Sequence, residues 1–198
     1  MNNNDFEAKR QLFHMLFGIL IVALLIYDFI GKFHIFFLIV IGIITSFLSR
    51  KHKIPVIFWF LKNFERKKDL KAFPGKGVIF YLIGAFLTLS FFPLDIAMPA
   101  ILVLAFGDSV SHLFGAKYGK IKHPFTDKKF IEGMIAGLIA AFIGAKVFLP
   151  WHEALAASFF AMIAEGIEMK IGAESLDDNI IMPLVAAIAI SFTRLLFG

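Results

Sequence analysis

The chain has 198 residues, of which 59% are hydrophobic and 18% charged, with a formal net charge of +5. Its mean hydropathy is +0.81, whereas soluble domains run near about 45–50% apolar and about 25% charged. That excess, with 26 phenylalanines, excludes an ordinary soluble domain and points to an integral membrane protein; the absence of cysteine excludes disulfides and thiolate metal sites.

The first apolar run, Leu12–Phe29, follows the basic pair Lys9 and Arg10. No A-x-A-like cleavage site comes after it, so it reads as a first span rather than a signal peptide. Six further runs follow in order: Phe33–Leu48, Gly77–Phe92, Ile96–Phe114, Ile131–Leu149, Ala154–Ile167 and Ile180–Phe197. Several fall short of the ~20 residues of an ideal span, which tilt or shelter in a bundle accommodates. Between the second and third lies "IPVIFWFLKNFERKKDLK", apolar and then basic. Its length and flanks suggest an interfacial or re-entrant piece. The expected fold class is therefore all-α: a polytopic membrane helix bundle of about seven transmembrane helices. It forms one domain over residues 1–198, with a basic interfacial segment near 50–76 and a Gly/Lys loop near 115–131.

Loop charge sets the expected orientation. Seventeen of the 20 lysines and arginines fall in loops on the side of the N-terminus, all but Lys32, Lys146 and Arg194. The positive-inside rule makes that side cytoplasmic and puts the C-terminus outside.

The polar residues that are hard to explain fall at the same ends of their spans. His14 lies one turn into the first span, with Arg10 on the same face. Asp108 and Ser109 lie near the end of the fourth, Glu132 opens the fifth, Glu165 and Glu168 lie in the last turns of the sixth, and Asp177, Asp178 and Asn179 open the seventh. An ionised Asp at a span centre costs about 2.5–3.5 kcal/mol, less near the ends. Carboxylates gathered there also repel one another unless a divalent metal intervenes. Carboxylates holding Mg²⁺ beside lysines holding phosphate suit nucleotide chemistry. The plain alternative is that these are solvated helix-end residues; Asp and Glu are ordinary at helix N-termini, which covers Glu132, Asp177 and Asp178.

Gly107, Ser111, Gly115 and Gly119 recur every four residues, and Gly133, Gly137, Ala140 and Gly144 at spacings of three and four, so each set lines one helical face. Such stripes serve close helix packing, within one chain or between copies in a homo-oligomer. Gly115 and Gly119 fall where the helix is expected to end and lysines begin. A turn there would let backbone N–H groups approach phosphate. "GAKYGK" departs from the P-loop pattern in spacing and in lacking Ser or Thr after its Lys. "FPGKG" marks a second turn carrying Lys76. His34, His112 and His123 show no ligand-like spacing and read as surface or packing residues.

The stretch "GDSVSHLFGAKYGKIKHPFTDKKFIEGMIAG" resembles the membrane-bound dolichol kinase, phytol kinase and CTP-dependent diacylglycerol kinase family. The family's Asp-Ser/Ala step, Gly-x-x-x-Gly-Lys turn and Lys-Ser/Thr-x-Glu-Gly segment fall on Asp108-Ser109, Gly115 to Lys120, and Lys129 to Gly133. "RQLFHMLFG" resembles its N-terminal motif through Arg10, His14 and Gly18. "AEGIEMKIGAESLDDNIIMPL" resembles its last one through Glu165, Asp178, Asn179 and Pro183. Gln11 stands where the family usually has Lys, and Phe130 where it has Ser or Thr. The related CDP-diglyceride synthases share the architecture, but their diagnostic segments are absent.

The resemblance implies a CTP-dependent lipid-alcohol kinase acting at the cytoplasmic face of the cell membrane, with Mg²⁺ and CTP. Asp108, Glu165 and Asp178 would hold metal. Lys76, Ser109, Gly115, Gly119, Lys120, Lys122, Lys129 and Asn179 would meet nucleotide and phosphate. Asp108, Glu132 and His14 would be the catalytic set. The expected partners are a lipid alcohol (polyprenol, phytol or diacylglycerol-like), a nucleoside triphosphate and the bilayer, not nucleic acid. Two alternatives are a cytidylyltransferase forming a CDP-lipid and a small transporter. The second predicts polar residues near the bilayer midplane rather than at span ends.

Overall fold

The computed structural model describes residues 3–51, 54–167, 170–171 and 174–197. Its helices are α1 (Asn3–Ile26), α2 (Lys32–Lys51), α3 (Pro55–Phe64), α4 (Lys67–Ala72), α5 (Lys76–Phe91), α6 (Leu94–Tyr118), α7 (Ile131–Lys146), α8 (Trp151–Gly166) and α9 (Asp178–Phe197). Two small antiparallel hairpins interrupt them: β1 (Lys122–His123) with β2 (Thr126–Phe130), and β3 (Lys170–Ile171) with β4 (Glu174–Ser175).

The fold is all-helical apart from these hairpins. Four helices are long and apolar enough to cross a membrane: α1, α2, α6 and α9. The other three expected spans, α5, α7 and α8, have 16 residues each, about 24 Å at 1.5 Å per residue. That is short of a hydrocarbon core of about 30 Å, so among the described residues helix length identifies four spans and does not by itself establish the other three.

α6 is the centre of the bundle. Its apolar window is 72% buried, against 17% for α2, and α1, α5, α7, α8 and α9 all pack on it. α2 packs on α5 and exposes Phe33, Phe37, Ile41 and Phe47. Apolar surface of that kind is accounted for by lipid. α6 and α7 pack closely along their length, and glycine allows it. A Cβ at Gly133 would stand 2.5 Å from the Ser111 carbonyl oxygen, and one at Gly137 2.7 Å from that of Gly107.

The segment expected at the interface forms α3 and α4. Pro55 occupies the first turn of α3, where a missing N–H costs nothing, and α3 packs on α1. Phe13 of α1 meets Phe60 and Phe64 with ring centroids 4.9 and 5.0 Å apart. Arg66 reaches Glu7 of α1 at 3.3 Å, and Arg50 donates to the Ala72 carbonyl. The chain leaves α4 through Gly75, whose φ of +81° needs glycine.

These contacts gather the start of α1, the end of α2, α3, α4 and the start of α5 at one end of the bundle. The opposite end has its own clasp. Arg194, near the end of α9, meets Glu153 at the start of α8 at 2.9 Å and also bonds Asp95 at the start of α6.

Candidate active site

Asp108 sits deeper than the sequence suggests. The fourth run was expected to end at Phe114; α6 runs on to Tyr118, ten residues and about 15 Å beyond Asp108. The carboxylate is 6% exposed. Two imidazoles flank it: His14 Nε2 is 3.4 Å from one oxygen, and His112 Nε2 is 3.3 Å from the other. His112 lies four residues after Asp108, so one helical face carries both. The expectation that His112 is a surface or packing residue is therefore corrected, and the i, i+4 spacing was the available signal. Tyr81 closes the other side of His14, with ring centroids 4.7 Å apart.

Around this core, side chains from four elements converge. Lys129, from β2, places Nζ 2.9 Å from Glu165 of α8 and 2.8 Å from Asp178 of α9, and donates to the Glu165 carbonyl. Burial alone would lower the Lys129 pKa; the Glu165 and Asp178 carboxylates outweigh it and hold it above the ordinary lysine value. Ser111 Oγ donates to Glu165 at 3.1 Å and to the Asp108 carbonyl at 3.0 Å. Asp177 caps α9: its Oδ1 accepts the backbone N–H of Asn179 at 3.2 Å and its Nδ2 at 2.7 Å. Lys76 approaches Asp177 at 3.7 Å.

Two cavities open on the cluster. The larger, about 430 Å³, is bordered by α1, α3, α4, α5 and α9. Its charged lining includes Arg10, Arg66, Lys76 and Lys129 beside Glu65, Asp69, Asp108, Asp178 and Glu165, with Asn179 at its edge. The buried Tyr81 hydroxyl and Asn179 Oδ1 have no hydrogen-bond partner, as expected of a wall that a polar ligand completes. The sequence reading missed Tyr81, Glu65 and Asp69. Burial raises the Glu65 carboxyl to about 7, although the Gly77 N–H and Arg10 oppose the shift. The smaller cavity, about 220 Å³, shares His112, Lys129 and Glu165 with the first.

Other expected site residues lie elsewhere. Both Glu132 oxygens accept the Ile121 N–H at 3.2 Å, so Glu132 fastens the hairpin and borders neither cavity. Lys120 is exposed, and Lys122 lies over the Phe130 ring at 4.8 Å; neither lines a cavity. Gly115 is inside α6 rather than in a turn. It packs on Gly133 and lines the smaller cavity. Gly119 follows the helix, where a Cβ would stand 2.3 Å from the Phe130 ring. Packing therefore accounts for both glycines. Ser109 is fully buried with an unpartnered Oγ. Glu168 lies outside the described residues.

The donor set fits a hard divalent ion in part. Ligand atoms of Asp108, His112 and Glu165 lie within 4.8 Å of one another. Carboxylate oxygens suit Mg²⁺, which completes its shell with water and phosphate rather than imidazole. Lys129 supplies positive charge among these acids in the structure as it stands.

No family model and no solved structure matches the chain. An uncharacterised protein of Methanocaldococcus jannaschii is 31% identical over 187 residues, 93% of each chain. CTP-dependent diacylglycerol kinase 1 of Schizosaccharomyces pombe is 28% identical over 128 residues, 56% of this chain and 57% of that one. Phytol kinase 1 of Arabidopsis thaliana is 26% identical over 128 residues, 58% of this chain and 42% of that one. The chain thus spans about half the length of the kinases it matches. Apolar helices and these relatives together define a membrane protein of lipid metabolism. The chain belongs to the family of CTP-dependent diacylglycerol kinases and phytol kinases.

Proposed function

We propose that the protein is a CTP-dependent lipid kinase that phosphorylates the hydroxyl of a membrane alcohol of the diacylglycerol, phytol or polyprenol type, at the cytoplasmic face. The observation that carries the reading is the buried cluster of Asp108, Glu165, Asp178 and Lys129 opening on a cavity with two arginines. In the reaction the acceptor oxygen bonds to the γ-phosphorus, the bond from that phosphorus to CDP breaks, and the hydroxyl proton leaves. Such transfer needs positioning and charge neutralisation more than covalent help.

Arg10, Lys76 and Lys129 bind the phosphates, and Arg10 is the residue suited to a two-pronged grip. Asp108, Glu165 and Asp178 would hold Mg²⁺, which supplies neutralisation of the phosphate charge. His14 and His112 fix the Asp108 carboxylate from both sides. The site borders the end of the bundle that gathers the basic segments α3 and α4, which supports a cytoplasmic location through the positive-inside rule. Purified protein with Mg²⁺, labelled CTP and either dioctanoylglycerol or a prenol is expected to yield a phosphorylated lipid and CDP. With a phosphatidate in place of the alcohol, release of pyrophosphate and formation of a CDP-lipid would instead identify a cytidylyltransferase.

A further inference from the structure

The cluster is approached from two sides of α1, and the two approaches differ in chemistry. Arg10 and His14 border the larger cavity, whereas Glu7, one to two turns earlier, borders the smaller one. The smaller cavity is a groove bounded by α1, α6, β2 and α7. Its inner wall is polar and buried at Ser111 and Glu165; its outer part is Ala116, Phe130 and Met134. Phe114 and Ile135, neighbours of that outer part on α6 and α7, are 40% and 52% exposed. The groove therefore opens beside surface that faces lipid.

A nucleotide suits it poorly. About 220 Å³ is below the ~300 Å³ at which pockets for drug-sized ligands begin. Its one lysine, Lys129, is already paired with Glu165, and Glu7 holds Arg10 and Arg66 outside the lining. A neutral hydroxyl with its first few carbons fits both the size and the charge. Small residues make the opening: α6 presents Gly115 and Ala116 where larger side chains would close it.

We propose that this groove between α1 and α7 is the entrance for the lipid acceptor, which slides in from the bilayer and presents its hydroxyl to the wall of His112, Lys129 and Glu165, while the nucleotide occupies the larger cavity across α1. This rests on the kinase reading above. Each substrate then reaches the shared wall without passing the other, and the alkyl chain never leaves the membrane.

The absence of cysteine allows a test that does not depend on turnover. Ala116→Cys places a thiol in the groove and Val78→Cys one in the larger cavity. Maleimide labelling of each variant is followed with dioctanoylglycerol, with geranylgeraniol, or with CTP and Mg²⁺. At about ten times its Kd a ligand slows labelling of the site it covers about tenfold. Slowing at position 116 by an alcohol, and at position 78 by CTP, is the expected pattern. Slowing by alcohol at 78 alone, or at neither position, overturns the assignment. If the expected pattern appears but no lipid is phosphorylated, the entry route stands and the kinase reading fails.

Discussion

The Lys129 ammonium stands 2.9 Å from the Glu165 carboxylate across 36 residues of sequence, and reaches Asp178 at 2.8 Å as well. One side chain from a short hairpin therefore ties α8 to α9 at the floor of the site. Replacing it with Met leaves two acids facing each other with no cation between them. Breaking such a buried pair costs about 3–5 kcal/mol, and each kcal/mol shifts the midpoint by about 2–4 °C at this size. Lys129→Met is expected to melt about 10 °C lower in detergent, with Lys129→Arg intermediate. An unchanged midpoint would show that the three groups do not depend on one another.

Glu65 gives the site a pH response. Its folded pKa is raised by burial from 4.5 to about 7, so the folded state favours the protonated form. Its stabilising contribution is complete below about pH 4.5 and is lost as pH rises through about 7. Glu65→Gln removes a proton-binding group, so stability between pH 5 and 8 should decline less steeply in the variant than in the wild type. Thermal midpoints across that window decide it; parallel curves would contradict the raised pKa.

The α6–α7 glycines predict a steric result. Gly137→Ala puts a Cβ 2.7 Å from the Gly107 carbonyl oxygen and 2.8 Å from Ser111 Cβ, where backbone cannot yield cheaply. A loss of about 1–3 kcal/mol is expected. Gly31→Ala meets nothing within 4 Å and should stay within about 0.5 kcal/mol of wild type. Equal midpoints for the two variants would argue against the tight helix pair.

The clasp at the far end separates stability from catalysis. Arg194→Met strands the buried Glu153 and is expected to cost about 2 kcal/mol. The KM values for nucleotide and alcohol should not change, because Arg194 borders neither cavity. A selective rise in either KM would connect the two ends.

Much of this was legible in the sequence, and the gaps have physical causes. Composition and hydropathy identified the membrane and the helical class, since burying that much apolar surface leaves few options. Order and polarity of the helices brought His14, Asp108, Glu165 and Asp178 to the same end. The shortness of several runs was legible too: α5, α7 and α8 have 16 residues each. Gly115 was expected where the helix ends, yet it continues α6 and packs on Gly133. His112 was passed over because neighbours were sought along the chain rather than one turn away. Lys120, Lys122 and Lys129 look equivalent in the sequence; in the fold Lys129 meets Glu165 and Asp178, whereas Lys120 is exposed.

The central claim is that the Asp108 cluster transfers the terminal phosphoryl group of CTP to a lipid hydroxyl. The direct measurement uses CTP labelled at the γ-phosphate, and separately at the α-phosphate, with wild-type protein and Asp108→Asn in the presence of Mg²⁺ and a membrane alcohol. The account predicts γ-label in the lipid and no α-label, with transfer by Asp108→Asn reduced about 10²-fold or more while its thermal transition persists. Appearance of α-label in the lipid, or full transfer by folded Asp108→Asn, would contradict it.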